Sequence, residues 1–515
     1  MKTAHISTVA VILAGCLALA GTSTALAGEK SCGQRVNNNV AKLLECMTVD
    51  GVRAHQAAFQ AAADANGGTR ATGTPGYDAS VDYVVDTLEA AGYDVELDGF
   101  EFNQVAPAIL DQIAPITATY ETGGFTGSGI GEVTGPVIAV DLALGNATWP
   151  ADPSTATSGC EASDFSGLDF SGPNDIALIQ RGACFFSVKS LNAETAGAEA
   201  VVIMNQGNSP TRLGLIVGNA STLPDGTPSN LTIPVVGASF PDGVALSQTG
   251  SQAFVRVDPP LVTEQLNVIA ELPGRNSGNV VVAGAHLDSV AGGPGIQSNG
   301  AASAALLETA VQMAKVRPTN TLRFAWWGAE EAGLIGSSSY VSGLTSEELD
   351  EIALYLNFDT VASPNFVYFI YDGDDSDGGN FVPTLDGAAE IEQLFEHYYT
   401  QRGVPFTGTP INGTSDYLPF VQAGIPAGGL FTGDVGIKTP EQVALWGGTA
   451  GEQFDPCYHL ACDTFDNVSL QALEINAEAI AYSVLYLGMN TAAVNGVRAK
   501  GNFKAGKQDA GLPTE

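Results

Sequence analysis

The chain has 515 residues, 45% of them hydrophobic, with 61 glycines and 26 prolines. Length and composition suit a folded protein of two or three domains at about 150 residues each, and exclude a disordered chain. Against 20 Lys and Arg stand 56 Asp and Glu, a formal net charge of −36, which argues against nucleic acid as a partner because a polyanion is repelled at long range; the acidity reads as solubility.

Lys2, the apolar run Val9 to Ala20 and the small-residue pattern Ala25-Leu26-Ala27 read as a signal peptide over residues 1–27. The run is too short for a lasting transmembrane anchor, and no other segment reaches spanning length. The expected location is secreted or periplasmic. Leu13-Ala14-Gly15-Cys16 resembles a lipoprotein processing box, so anchoring at Cys16 is the minority alternative. Beyond the signal remain Cys32, Cys46, Cys160, Cys184, Cys457 and Cys462, an even number that in an exported chain suggests disulfides. Pairing of neighbours, 32–46, 160–184 and 457–462, is the simplest arrangement, though spacing alone does not fix it.

Residues 28–104 form an N-terminal segment. It carries a helical pattern from Val52 to Ala63, a loop through Asn66-Gly67-Gly68-Thr69-Arg70, a second helix over Ala79–Ala91, and a strand-like alternation from Tyr93 to Phe102. Residues 105–260 change texture to Gly, Thr, Ser and Pro with short β-like runs at Val137–Val140, Ile176–Gln180 and Ala200–Met204, and one helix at Val188–Ala198. This is an inserted β-rich module. Residues 261–490 return to alternation: strand Asn279–Ala285, helix Ala301–Val316, strand Thr321–Trp327, strands Ile352–Phe358 and Phe366–Tyr371, and helix Ala388–Arg402. Such alternation predicts an α/β fold, a doubly wound, mostly parallel sheet flanked by helices. Residues 491–515, polar and Gly-rich, read as a flexible tail.

Chemistry-bearing residues sit where strands end. The first strand runs into Gly284-Ala285-His286-Leu287-Asp288, the next into Trp326-Trp327-Gly328-Ala329-Glu330-Glu331, the third into Asn357-Phe358-Asp359, and a late loop carries Cys457-Tyr458-His459-Leu460-Ala461-Cys462. In an open α/β sheet the ligand crevice lies beyond the carboxyl ends of the strands, so these groups can converge. Two imidazoles with three carboxylates form a zinc-like donor set. Only five histidines exist, and His5, His55 and His397 sit in the signal or on helices. Asp288, two residues after His286, can accept from a ring nitrogen and fix its tautomer.

The strings His286–Val290, Gly293-Pro294-Gly295-Ile296, Trp326–Glu331, Gly333-Leu334-Ile335-Gly336-Ser337, Asn357-Phe358-Asp359 and Cys457–Thr464 resemble the M28 family of zinc aminopeptidases, in particular its bacterial secreted branch. The resemblance covers about residues 50–100 and 262–490. The insert is similar to a protease-associated (PA) domain, through Ile176–Phe186 and Ala196-Gly197-Ala198. It would make 261–490 the main part of a peptidase domain that begins within 28–104.

The resemblance implies an exported metallo-aminopeptidase that removes N-terminal, hydrophobic residues from peptide substrates. His286 and Asp359 would hold one zinc, Glu331 and His459 another. Glu330 would be the general base, Asp288 would orient His286, Tyr458 would steady the oxyanion, and a Cys457–Cys462 disulfide would brace the loop. Physically, metals lower the pKa of water and polarise the carbonyl. The family also carries an aspartate bridging both metals, in a segment similar to Gly-Ile-Asn-Asp-Asn-Gly. Here it reads Gly295-Ile296-Gln297-Ser298-Asn299-Gly300, and Ser298 stands at the bridge. A neutral hydroxyl is a poor spacer between two dications, so one zinc or none is the altered expectation. Thr414, in Gly413-Thr414-Ser415-Asp416, takes a place where relatives often carry Arg. The alternative reading is therefore an impaired or silent M28-like pseudo-enzyme that binds peptides or a partner.

Overall fold

A computed structural model describes residues 32–104, 108–144, 156–208, 212–224, 227–380 and 382–497. The expected signal peptide and Cys16 lie outside the described residues. The chain divides into one unit running up to Phe102 and again from Glu264, and a second from Asn103 to Thr263.

The first unit is built on an eight-stranded sheet with the order 95–104, 261–272, 320–327, 276–286, 352–358, 427–431, 369–371, 407–409. Strand Asn276–His286 lies at its centre, parallel to Asn320–Trp327 on one side and to Ile352–Phe358 on the other. Its residues point alternately to two apolar layers. Val281, Ala283 and Ala285 join Leu322, Phe324 and Trp326 in one core, while Val280 and Val282 join Ala325 and Trp327 in another. Burial on both faces is why these strands read as continuous apolar runs.

The helix Gly300–Met313 covers one face, with twelve of its 14 residues buried; its first turns are small (Gly300, Ala301, Ala302, Ser303, Ala304, Ala305), which lets the helix lie close on the sheet. Val49–Ala65 begins at Thr48, whose side chain accepts from Gly51 N, and Pro75–Ala91 stops at Gly92 in the left-handed region, φ 100°. The helix Leu470–Met489, with 14 buried residues, packs on the same layer.

Three features differ from the sequence reading. Leu261–Leu272 is a strand antiparallel to Asn320–Trp327, and Phe369–Tyr371 is antiparallel to Ala427–Phe431. The strand expected over 366–371 is only Phe369–Tyr371. The expected tail does not begin at 491: Ala492–Asn495 is helical, and the buried Thr491 Oγ1 accepts from Asn279 Nδ2 at 2.9 Å.

The second unit holds a seven-stranded sheet, order 118–120, 108–114, 252–257, 131–140, 176–180, 200–204, 235–238, antiparallel at the start and parallel from 131–140 onward. Its helix Phe186–Ala196 ends at Gly197, φ 107°. Three disulfides join Cys32–Cys46, Cys160–Cys184 and Cys457–Cys462. Among the described residues no helix is long and apolar enough to cross a membrane.

Candidate metal centre

Register brings the first two ligand candidates together. His286 pairs with Trp327 across the parallel strands, and Leu287 N donates to Trp327 O at 2.7 Å, so the chain leaving His286 runs beside the chain leaving Trp327. Gly284 pairs with Asn357, which places Asp359 just beyond the third strand. The backbone then turns sharply: Ala329, Thr360 and His459 all adopt left-handed φ, 52°, 52° and 60°. Such conformations cost on the order of 1 kcal/mol each in non-glycine residues and persist where surrounding contacts over-determine them.

Asp288 does more than face His286. Its Oδ1 lies 3.4 Å from His286 Nδ1, and its carboxylate also accepts from Glu330 N and Glu331 N, each at 3.3 Å. The Asp288 carbonyl is 3.2 Å from the same Nδ1. Only acceptors surround Nδ1, so that nitrogen carries a proton, and Nε2 is the nitrogen left facing the crevice. Nε2 stands 3.4 Å from Asp359 Oδ1 and 3.9 Å from Glu330 Oε2. His459 Nε2 and Glu331 Oε2 are 3.0 Å apart. His286, Glu330 and Glu331 present donor atoms all within 4.8 Å of one another. The structure therefore brings His286, Asp288, Glu330, Glu331, Asp359 and His459 to one place.

Adjacent donors on a tetrahedral zinc with bonds of about 2.0–2.1 Å stand about 3.3–3.4 Å apart. The His286–Asp359 separation fits that edge, and the His459–Glu331 separation is slightly tighter. The orphan atoms point the same way. Glu331 Oε1 is buried without a hydrogen-bond partner among the described residues, and His459 Nε2, though 3.0 Å from Glu331 Oε2, makes no well-aligned hydrogen bond; a buried polar atom rarely tolerates this unless an ion or water completes it. Nitrogen and carboxylate oxygen are zinc donors, and the residues present fit that metal.

The electrostatics are those of a crowded acidic pocket. Burial pushes the Glu330 carboxyl well above its usual range; His286 offsets this, and Asp359, Asp416 and Glu331 add to it. Burial alone would lower the His286 imidazole, but Glu330 and Asp359 raise it well above its ordinary value. Burial raises Asp359, yet His286 and the hydroxyls of Ser415 and Thr360 bring it below the usual carboxylate range. Burial raises the Tyr458 phenol, with Glu331 and Asp359 adding, so Tyr458 stays a donor; its ring stacks on His459 at 3.8 Å.

Ser298 is buried. Its N–H donates to Asp463 Oδ2 at 3.0 Å, beside Gln297 N on Oδ1 at 2.9 Å. Ser298 Oγ is 3.4 Å from Thr360 Oγ1, which donates to Asp359 Oδ1 at 2.9 Å. Thr360 has one proton and a carboxylate can only accept, so the Ser298 hydroxyl donates to Thr360. A hydroxyl pair thus occupies the ground between residue 298 and Asp359. Ser415 Oγ donates to Asp359 Oδ2 at 2.8 Å. Thr414 caps its own turn, donating to Asn412 Oδ1 at 2.7 Å.

Sequence reasoning did not single out Thr360, Ser415, Asp463 or Arg70 as parts of this site. A second acidic group, Asp372, Asp374 and Glu392, also gathers within ligand range, but its oxygens are engaged: Asp372 accepts from Ser376 N and Asp377 N, and Glu392 from Gly373 N.

The profile of peptidase family M28 matches residues 267–484, the range that supplies every ligand candidate, and the PA domain profile matches residues 133–246. An aminopeptidase of Pseudomonas aeruginosa is 46% identical over 472 residues, 90% of this chain and 85% of the relative. The chain belongs to peptidase family M28. It also carries a PA domain. A probable lipoprotein aminopeptidase, LpqL, of Mycobacterium tuberculosis is 41% identical over 461 residues, covering 88% of this chain and 87% of that protein. Among solved structures, a zinc aminopeptidase from Bacillus subtilis superposes with a TM-score of 0.68 at 23% identity, over 87% of this chain and 98% of its own. This M28 peptidase therefore shares the fold of that enzyme.

Proposed function

We propose that the chain is an exported zinc aminopeptidase. The observation that carries the reading is the facing of two donor pairs, His286 with Asp359 at 3.4 Å and His459 with Glu331 at 3.0 Å, with Glu330 3.9 Å from His286 and free of either pair. These four residues would hold zinc, which supplies Lewis acidity, polarising a carbonyl and lowering the pKa of water.

Glu330, on the left-handed turn after Ala329, takes a proton from the attacking water and passes it to the leaving amine. Burial raises the Glu330 carboxyl, so once ionised it is a stronger acceptor for that proton than an exposed carboxylate. Asp288 fixes the His286 tautomer while anchoring the Glu330 and Glu331 amides, so ligand and base share one support. Tyr458 donates to the developing oxyanion, and the Cys457–Cys462 disulfide holds the Tyr458–His459 turn. The carboxylates around the crevice favour a substrate's cationic amino terminus. Leu460, exposed next to His459, offers apolar surface for an N-terminal hydrophobic side chain; relatives from Trichophyton equinum and Trichophyton tonsurans carry the name leucine aminopeptidase 2. Disulfides and the lipoprotein relative both suit an oxidising, extracytoplasmic location.

Ser298 supports a second reading, a peptidase of reduced or lost activity whose cleft binds peptides. Each donor pair then has no shared anion. The test is zinc content together with leucyl-anilide hydrolysis by the purified chain, with and without chelator, beside Glu330→Gln. Chelator-sensitive turnover lost in Glu330→Gln supports the peptidase. Stoichiometric peptide binding without turnover at saturating zinc establishes the silent reading instead.

A further inference from the structure

Arg70 is an arginine with no surface: its relative exposure is 0%. Its guanidinium donates to the carbonyls of Leu287, Pro294 at 2.8 Å and Gly295 at 2.6 Å. It forms no ion pair with a carboxylate among the described residues. Its main chain holds the same segment, since Arg70 N donates to Ser289 Oγ at 2.9 Å and Ser289 N to Arg70 O at 3.3 Å. The Phe59 ring lies 5.2 Å beneath the guanidinium. Burial lowers the guanidinium pKa and Asp288, Asp463 and Glu331 offset part of the fall, leaving it at about 10. The cation is thus kept by the field of the site's own carboxylates.

The three acceptors stand at the two ends of one loop. Leu287 follows His286, and Gly295 precedes Ser298 by three residues. Gly295 has φ 58° and accepts from Gly300 N at 2.9 Å, where the helix Gly300–Met313 begins. A planar fork that grips both ends fixes the distance between them, whereas a lysine ammonium offers no fixed angles.

We infer that Arg70 is the positioning residue of this loop: by clamping the Leu287 and Gly295 carbonyls together it sets where residue 298 lies relative to His286. The inference rests on the metallopeptidase reading for its chemical consequence, but not for its geometry.

The test compares Arg70→Lys with Leu88→Ala, a core truncation in the helix Pro75–Ala91 whose side chain makes no hydrogen bond to the loop. Deuterium exchange in chelator reads the amides of Ile296, Gln297, Ser298 and Gly300, all hydrogen-bonded in the parent. Arg70→Lys is expected to speed their exchange at least tenfold, to weaken zinc at least tenfold in a chelator competition, and to lower kcat more than it raises KM. Leu88→Ala lowers Tm with none of these effects. Parent-like exchange in Arg70→Lys, or a zinc loss that Leu88→Ala shares, overturns the inference. If the parent binds no zinc, the peptidase reading fails while the exchange contrast still decides Arg70. Should Arg70→Lys not fold, Gly295→Ala keeps the cation and moves the loop, because its Cβ would sit 2.5 Å from Ser289 Cβ and 3.3 Å from Arg70 Nη2. It is expected to reproduce the fast exchange and weak zinc binding, and parent-like values there overturn the inference equally.

Discussion

Ser298→Asp changes the charge of the site by one unit without changing its frame, and its consequences separate cleanly by metal. Through Thr360, residue 298 lies two hydrogen-bond steps from Asp359, so a carboxylate placed there stands within about 6 Å of the Asp359 carboxylate. At an effective dielectric constant of about 20, two like charges at that distance repel by about 3 kcal/mol. Without metal nothing offsets this, and the variant is expected to melt below the parent by about 6–12 °C, taking about 2–4 °C per kcal/mol. With zinc the sign reverses. The new carboxylate then supplies a shared anion, and a ligand at 100 times its Kd stabilises by about 2.7 kcal/mol. The assay is a pair of thermal melts, one in chelator and one in excess zinc, with zinc counted by atomic absorption after desalting. Ser298→Asp should start lower, rise further and retain more zinc than the parent. If it melts with the parent in chelator and gains no more from zinc, residue 298 does not face the metal space and the reasoning is refuted.

Glu330→Gln should keep the zinc content while lowering kcat by about 10²–10⁴-fold, the usual contribution of a positioned proton carrier; a fall in zinc content instead would make Glu330 a ligand. Tyr458→Phe should cost about 10²-fold in kcat with KM little changed, as for a lost oxyanion donor. Replacing Cys457 and Cys462 together by Ser opens a short loop, which chain entropy values at about 2 kcal/mol, and should weaken zinc binding in step with activity, read by chelator competition. Burial, with Asp372, Asp374 and Glu396, raises the Glu392 carboxyl to about 7, while the Gly373 amide works against it. Between about pH 4.5 and pH 7 the unfolded state has released a proton that the folded state still holds, so stability falls as pH rises through that window. Glu392→Gln removes this slope, and urea midpoints at pH 5 and pH 8 should differ less in the variant than in the parent, by the equivalent of about 1–2 kcal/mol after allowing for solvent screening.

The ligand candidates were legible because a histidine or carboxylate directly after a wholly apolar strand has few places to go other than a crevice. The strands Ile352–Phe358 and Ile176–Gln180 were equally plain, since burial on both faces leaves a run without polar interruptions. The helix Leu470–Met489 left no mark for the opposite reason: buried nearly all round, it lacks the polar stripe from which helical period is read. Direction was also hidden. The burial along Leu261–Leu272 passes from exposed to buried, and nothing local tells that it meets Asn320–Trp327 head to tail. Arg70, Thr360, Ser415 and Asp463 escaped because each acts on a ligand-bearing segment distant in sequence or by a single hydroxyl. Arg70 lies 217 residues from Leu287, and Asp463 lies 165 from Ser298. Their residue types are ordinary in turns, and only the fold shows what they hold.

Those same residues explain why the site keeps its shape around Ser298. The main chain at 297–298 is fixed by Asp463 through the two amides, not by the side chain of residue 298. Asn299 is tied to the Phe358 carbonyl and the Thr360 amide, at 2.9 and 3.0 Å. His286 is set by Asp288, and Asp359 by Ser415 and Thr360. Each of these contacts would survive an aspartate at 298, and none requires one. The substitution therefore acts on charge count and scarcely on geometry. A cage whose ligands are held this independently stays preorganised when its bridging anion is absent, so metal affinity is the property that shifts first, ahead of fold or substrate access. This is also why a single carboxylate, returned to residue 298, should be enough to move zinc content.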